Sequence, residues 1–125
     1  KTNQQLETSK SNVFALGDCA EVCGHVLVYV APLMAAAKAL ARTLSGQSTA
    51  VKYPAMPVTI KTPICPVVVS PPQKNSEGAW SIVEQDLNIR AEYRNSSGDL
   101  LGFALTGDAT KARMELQKLL PPILL

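Results

Sequence analysis

The stretch LNIRAEYRNSSGDLLGFALT, residues 87–106, has the pattern of a β-hairpin. Apolar and polar residues alternate from 87 to 94, which is the period of a strand with one buried face. Residues 95–98, Asn-Ser-Ser-Gly, form a turn signal, and residues 99–106 provide the returning strand. The residues predicted to share the apolar faces are Leu87, Ile89, Ala91 and Tyr93 on the first strand and Leu101, Phe103 and Leu105 on the second.

Elements on both sides of this hairpin predict a small sheet with a helix. Residues 79–84 read as another strand, and residues 58–60 and 67–69 are β-branched runs between prolines, predicted to be edge strands or extended segments. Asp108 is predicted to cap a final helix before Pro121 and Pro122. Its apolar stripe would consist of Ala109, Ala112, Leu116 and Leu119.

The first part of the chain has a different pattern. Residues 13–16, Val-Phe-Ala-Leu, predict one buried strand that ends at Gly17 and Asp18. A helix is predicted from Pro32 to Leu44, and it is apolar nearly all round, so it needs cover on most sides. We therefore predict an α+β chain in which residues 1–50 are the C-terminal end of an α/β domain and residues 51–125 form a separate antiparallel-sheet-plus-helix domain.

Composition excludes several classes. With 46% hydrophobic residues and a net charge of +2, the chain can bury a core and lacks the basic excess of a nucleic-acid-binding protein. No apolar run reaches the length of a membrane helix, and three cysteines favour reduced thiols in the cytoplasm. The single histidine, His25, has no partner at metal-ligand spacing. Because the chain does not begin with Met, we expect a fragment.

The segment TSKSNVFALGD, residues 8–18, carries the sharpest functional signal. A strand that ends in Gly-Asp places a carboxylate at the carboxyl edge of a sheet, where α/β folds bind ligands. Taken alone, the pattern fits an ordinary turn equally well.

The whole segment resembles the second FAD-binding motif of the pyridine nucleotide-disulfide oxidoreductase superfamily. Further segments are similar to the rubredoxin reductases in particular, and the resemblance covers almost the whole chain. These segments are GDCAEV (17–22), YVAPLM (29–34), AMPVTIKTP (55–63), CPVVVSPP (65–72) and GFALTG (102–107).

The resemblance implies FAD as the cofactor. Asp18 would bind a ribityl hydroxyl and Gly17 would allow the close approach, while the helix that begins at Pro32 would point free N–H groups of Leu33 and Met34 at the flavin pyrimidine ring. Val30 would also line the cofactor. Lys61 would lie near the isoalloxazine or the rubredoxin docking face; a solvated lysine at a strand end is the alternative.

The implied reaction carries electrons from NADH through FAD to rubredoxin, the iron carrier that feeds an oxygenase such as an alkane hydroxylase. The chain contains no Gly-x-Gly-x-x-Gly fingerprint, so we expect it to be inactive by itself. Cys19 and Cys23 are interpreted as ordinary thiols. Two alternatives stay open: a non-catalytic α+β interaction module, and a related reductase whose acceptor is a ferredoxin or a flavorubredoxin.

Overall fold

The five strands of the chain form one antiparallel sheet, in a computed structural model that describes residues 1–125. The spatial order of the strands is β1-β2-β5-β4-β3. Two short helical segments follow β5, and a longer helix, α1, precedes β1. The bounds are α1 Val30–Leu44, β1 Val58–Ile60, β2 Val67–Ser70, β3 Ala79–Gln85, β4 Asn88–Arg94, β5 Leu100–Thr106, a 3₁₀ helix Gly107–Ala112 and α2 Arg113–Gln117.

The predicted hairpin is confirmed as β4 and β5. Residue 91 lies opposite residue 104, and residue 92 opposite residue 103. The turn closes through hydrogen bonds from the N–H of Asn95 to the carbonyl of Asp99 and from the N–H of Gly98 to the carbonyl of Asn95. Gly98 has a φ of +86°, which L side chains rarely adopt and which explains a glycine at this position.

The core of the sheet lies on the face covered by α2. Phe103 and Leu105 are fully buried there and pack with Val68 and Leu116. Because directly opposed side chains in an antiparallel pair point to the same side, Glu92 shares this face with Phe103. The polar side of β4 therefore lies on the same face of the sheet as the core, beyond the area that α2 covers. It does not face away from the core.

Three predictions about this part of the chain are wrong in detail. β2 is an inner strand, paired with both β1 and β5, so only one of these two predicted edge strands, β1, lies at an edge of the sheet. The final helix starts as a 3₁₀ helix, and Asp108 does not cap it, because its side chain forms a 2.7 Å salt bridge with Lys111. Leu119 is 54% exposed, and Leu120 takes the predicted place of Leu119 against the core.

Predictions for the first part also need correction. α1 begins at Val30, two residues before the predicted start at Pro32. No strand forms over residues 13–16; Phe14 makes only an isolated bridge to Glu7. A strand needs partners along its length, and the neighbouring residues offer just this contact.

The chain divides into two compact units. One consists of Lys1–Pro54 with Leu124–Leu125, and the other of Ala55–Ile123. The sheet, the 3₁₀ helix and α2 all belong to the second unit. The first unit contains no parallel sheet, so its assignment to an α/β cofactor domain, like the ranges 1–50 and 51–125, stays a prediction. None of the helices combines the length and hydropathy that a membrane span requires.

Candidate functional site

The loop after residue 16 turns sharply at Gly17, which has a φ of +83°. The N–H of Ala20 donates to the carbonyl of Gly17 at 3.0 Å and closes the turn. Asp18 stands exposed on this turn and takes part in no salt bridge. Its carboxylate is therefore available to accept hydrogen bonds from a ligand.

The first turn of α1 is the second part of the site. Its N-cap residue, Tyr29, makes no side-chain cap, and the first turn contains no acidic residue. In a helix that begins at Val30, the amides of Val30 and Ala31 have no carbonyl partner within the helix, and Pro32 has no N–H. The amides of residues 33 and 34 lie one turn further along the helix, and their predicted contact with a flavin stays a prediction.

The structure brings these two parts together. A β-carbon placed on Gly17 would lie 3.4 Å from Cδ1 of Leu33, in ordinary van der Waals contact. Val30, Leu33 and Met34 are exposed by 71%, 36% and 52% around the uncapped turn. Hydrogen-bond donors, a carboxylate and apolar side chains thus share one surface of the first unit.

Sequence reasoning missed two residues beside this surface. His25 and Tyr53 line the same small cavity as Gly17 and Leu33. Burial raises the pKa of the Tyr53 hydroxyl, and the nearby Cys23 raises it further. His25 is fixed by a two-residue turn, in which its N–H and carbonyl bond Val22 at 2.9 Å each. Cys23 and Gly24, the central residues of this turn, both have positive φ, and the glycine is the one sign of the turn that the sequence carries.

Lys61 lies in the second unit, directly after β1, and is exposed without a salt bridge. The segment that leads to it is held by α2. Nε2 of Gln117 donates to the carbonyl of Ala55 at 2.9 Å, and the Nη atoms of Arg113 donate to Oγ1 of Thr59 at 3.1 Å and to the carbonyl of Pro57 at 3.4 Å. We call this arrangement the α2 clamp. No sequence signal indicated it, since its partners lie more than fifty residues apart.

Cys19, Cys23 and Cys65 are free thiols. No three His, Cys, Asp or Glu side chains lie where they could hold a metal ion.

Comparison with known proteins finds one family and several relatives that are similar to this chain. The profile of the family described as "Rubredoxin binding C-terminal domain" matches residues 50–120, more than half of the chain. The chain is 56% identical to a rubredoxin-NAD(+) reductase of Alcanivorax borkumensis and 44% identical to one of Acinetobacter baylyi, covering 98% of this chain in each case. It is 38% identical, over 95% of its length, to a nitric oxide reductase FlRd-NAD(+) reductase of Aeromonas salmonicida.

A solved structure shares the fold. The match to the crystal structure of NADH:rubredoxin oxidoreductase from Clostridium acetobutylicum covers 94% of this chain and 31% of the oxidoreductase chain. Its TM-score is 0.74 at 17% sequence identity. The chain spans about a third of the length of the curated relatives: 32% of the first two and 31% of the third. By the match over residues 50–120, the chain belongs to the family of rubredoxin-binding C-terminal domains.

Proposed function

We propose that this chain is part of an FAD-dependent oxidoreductase that carries electrons from NADH to rubredoxin in the cytoplasm. One observation carries the proposal: the Gly17 loop packs against the uncapped first turn of α1 in a chain whose second unit matches a rubredoxin-binding domain. Hydride acceptance from NADH and release of single electrons are the chemistry that the flavin supplies. The three free thiols fit a reducing compartment.

The residues of the first unit fit a flavin by their chemistry. The free amides of Val30 and Ala31 sit at the positive end of the α1 dipole, where they would donate to electron-rich carbonyl oxygens and favour negative charge on the ring. Asp18 would accept a hydrogen bond from a ribityl hydroxyl, and the absence of a side chain at Gly17 keeps that approach open. Leu33 and Met34 would contact the ring edge through their exposed side chains and exclude water.

Lys61 would contribute a positive charge beside the flavin or the docked carrier. Its ammonium group is exposed and has no carboxylate partner, so it can meet an anionic group without breaking a salt bridge. Alone, the chain would have no means to hold NADH, because it lacks the Gly-x-Gly-x-x-Gly fingerprint. We therefore expect it to show no NADH oxidation with added FAD.

The test uses the full-length protein, with Asp18→Ala and a control variant, Glu77→Ala. Both residues are exposed carboxylates outside the helices and strands. Wild type and control should have a flavin absorption spectrum that NADH bleaches, whereas Asp18→Ala should bind FAD about tenfold more weakly, as expected for loss of a hydrogen bond to a charged group. A colourless wild-type protein would contradict the flavin assignment and favour the interaction module.

A flavorubredoxin is the second candidate acceptor, because the three relatives do not all have the same name. The relative from Aeromonas salmonicida is named as a reductase of FlRd, and its identity to this chain is 38%, against 56% for the rubredoxin reductase of Alcanivorax borkumensis. The higher identity favours free rubredoxin as the acceptor. Rates of reduction measured with rubredoxin and with a flavorubredoxin would decide between the two, and a higher rate with the latter would reverse the preference.

A further inference from the structure

The first unit buries a tyrosine side chain whose hydroxyl has no partner in the protein. Tyr53 is only 3% exposed. The hydroxyl of Tyr93, in the second unit, donates to the carbonyl of Ser76 at 3.0 Å, whereas the hydroxyl of Tyr53 makes no hydrogen bond. Buried polar groups are nearly always hydrogen-bonded, to the protein or to ordered water. The Tyr53 hydroxyl therefore needs a partner from outside the chain.

The cavity that Tyr53 lines has the size of a single water molecule. Its volume is about 10 Å³, and its walls include Gly17 and Leu33, one from each part of the candidate cofactor site. A water molecule needs roughly 10–15 Å³ of such space, whereas a flavin ring or any other organic ligand needs far more. Water is therefore the ligand that fits this cavity.

Two further polar groups are available beside the Tyr53 hydroxyl. His25 lines the same cavity, and its ring makes no salt bridge. A neutral imidazole has one nitrogen that donates and one that accepts. The carbonyl of Gly17 accepts only the N–H of Ala20, so its second lone pair is free. A buried water molecule typically makes two to four hydrogen bonds, and these groups supply three.

The backbone of Tyr53 is fixed, which fixes the place of its hydroxyl. Its N–H and carbonyl bond Leu124 at 2.9 and 3.0 Å, and the N–H of Val51 donates to the carbonyl of Gln4 at 2.8 Å. Burial and the neighbouring Cys23 raise the pKa of the Tyr53 hydroxyl, so the group stays protonated and acts as a donor. The Gly17 turn, by contrast, is closed by a single backbone bond, and one more bond would restrict it further.

We propose that this cavity binds one water molecule, which accepts the hydrogen bond of the Tyr53 hydroxyl and donates to His25 and to the carbonyl of Gly17. Tyr53 and His25 are thereby positioning residues, which hold the Gly17 turn, and with it Asp18, beside the first turn of α1. The water site stands on the cavity and its polar groups. Its effect on cofactor binding rests on the proposed function.

The first test is a high-resolution crystal structure of the full-length protein, as wild type and as Tyr53→Phe. The wild type should contain one water molecule at about 2.7–3.2 Å from both the Tyr53 hydroxyl and a ring nitrogen of His25. The variant keeps the ring and loses the hydroxyl, so the water should be absent from it. A wild-type cavity without water, or a direct bond between Tyr53 and His25, would overturn the water site.

The second test separates positioning from stability in the same full-length protein. The matched control is Tyr93→Phe, which removes a hydroxyl that bonds the protein directly in the second unit. Tyr53→Phe should raise the dissociation constant of FAD about fivefold, as expected for the loss of one hydrogen bond that orders the site. The control should lower the melting temperature at least as much and bind FAD as wild type does.

The outcomes distinguish this inference from the proposed function. If the wild-type protein binds no FAD, the proposed function fails, and the crystal structures still decide whether the water site exists. If the wild type binds FAD and Tyr53→Phe binds it equally well, the positioning role of Tyr53 is overturned while the flavin assignment stands. Equal losses of FAD affinity in Tyr53→Phe and Tyr93→Phe would overturn that role too, because a general loss of stability would then explain both.

Discussion

Gly107 stands where β5 ends and the 3₁₀ helix begins, and its φ is +55°. A β-carbon at this position would overlap Oδ1 of Asn88 and lie 3.0 Å from the carbonyl oxygen of Leu87. The same Asn88 oxygen accepts the N–H of Asp108, so it cannot move away without losing that bond. Glycine is therefore required here by space as well as by backbone conformation.

We predict that Gly107→Ala lowers the melting temperature more than Gly98→Ala does. Gly98 also has a positive φ, but a β-carbon there would meet nothing within 4 Å. The control should thus lose only the conformational term, about 1 kcal/mol, whereas Gly107→Ala should lose about 2 kcal/mol or more because the contact is added. Thermal unfolding of both variants measures the difference, and equal losses would show that the contact is relieved at no cost.

Glu92 lies between two arginines on β4. Nε of Arg90 donates to its Oε1 at 2.6 Å, and Nε of Arg94 donates to its Oε2 at 2.9 Å. Burial raises the pKa of the Glu92 carboxyl, but the hydrogen bonds and charges of the two arginines outweigh burial and hold the pKa below its usual value. The folded protein therefore binds a proton at Glu92 less readily than the unfolded chain does.

The lowered pKa of Glu92 makes the stability of the protein depend on pH. A lowered pKa contributes stability that is present above the unfolded pKa, about 4.3, and is lost as the pH falls through the folded value. We predict that Glu92→Gln flattens the decrease of the melting temperature below about pH 5. Glu77→Gln, at an exposed position in the loop before β3 and outside this network, serves as the control. A wild-type acid profile in Glu92→Gln would show that the network does not couple to folding.

At the scale of elements, the α2 clamp joins the helix to residues 55–59. Gln117 and Arg113 lie four residues apart on one face of α2, and their partners, residues 55, 57 and 59, alternate along an extended segment. Two side chains one helical turn apart thus reach alternate residues of the extended segment. The segment before Lys61 is therefore held along its length. Nε of Arg113 is buried without a hydrogen-bond partner, so the guanidinium group depends on the two hydrogen bonds of its Nη atoms.

We predict that Gln117→Leu destabilises the second unit by about 1–3 kcal/mol, the cost of leaving a buried acceptor without its donor. Arg113→Met should have an effect of similar size. The control is Lys118→Met, because Lys118 is exposed next to α2. Denaturant unfolding gives the free energies, and a loss no greater in Gln117→Leu than in the control would mean that water replaces the amide.

The accuracy of sequence reasoning depended on how local each element is. The β4–β5 hairpin was predicted because the alternation over residues 87–94 and the turn at residues 95–98 are both local signals. The inner position of β2 was not, because pairing with β5 depends on residues more than thirty positions away. The start of α1 was misplaced because Pro32 suits any position in a first helical turn, where its missing N–H costs nothing.

At the scale of the whole molecule, the second unit contains a complete core. Phe103, Leu105 and Leu116 are buried against one another within it. The first unit instead exposes Val26, Val28 and Val30 by 56%, 62% and 71%, an alternating apolar row. The first unit also buries Leu6, Ala36 and Val51, but its core contains no sheet, whereas the core of the second unit lies between a five-stranded sheet and a helix.

We predict that residues 55–123 expressed alone remain folded and that residues 1–54 do not. Amide NMR spectra provide the measurement, with the spectrum of the whole chain as the reference. Dispersed resonances that match the reference are expected for residues 55–123. Collapsed resonances from that piece would show that its core needs the rest of the chain.

Sequence reasoning reached the candidate cofactor site only in part, for a related reason. Gly17 and Asp18 are adjacent in the chain, so one motif reveals both. Tyr53 lines the same cavity as Gly17 although it lies far from it in sequence, and no local pattern marks it. The lining of such a cavity becomes visible only when the loops are placed together.

The pairing of Tyr53 with Leu124 brings together the two points where the chain enters and leaves the second unit. These residues exchange N–H to carbonyl bonds at 2.9 and 3.0 Å, and the entire second unit lies between them in sequence. The chain thus enters and leaves the second unit at two adjacent points, as it does in a domain that is inserted into another domain. A module with joined ends can be exchanged in one piece, so the second unit can be replaced without changing the sequence of the first.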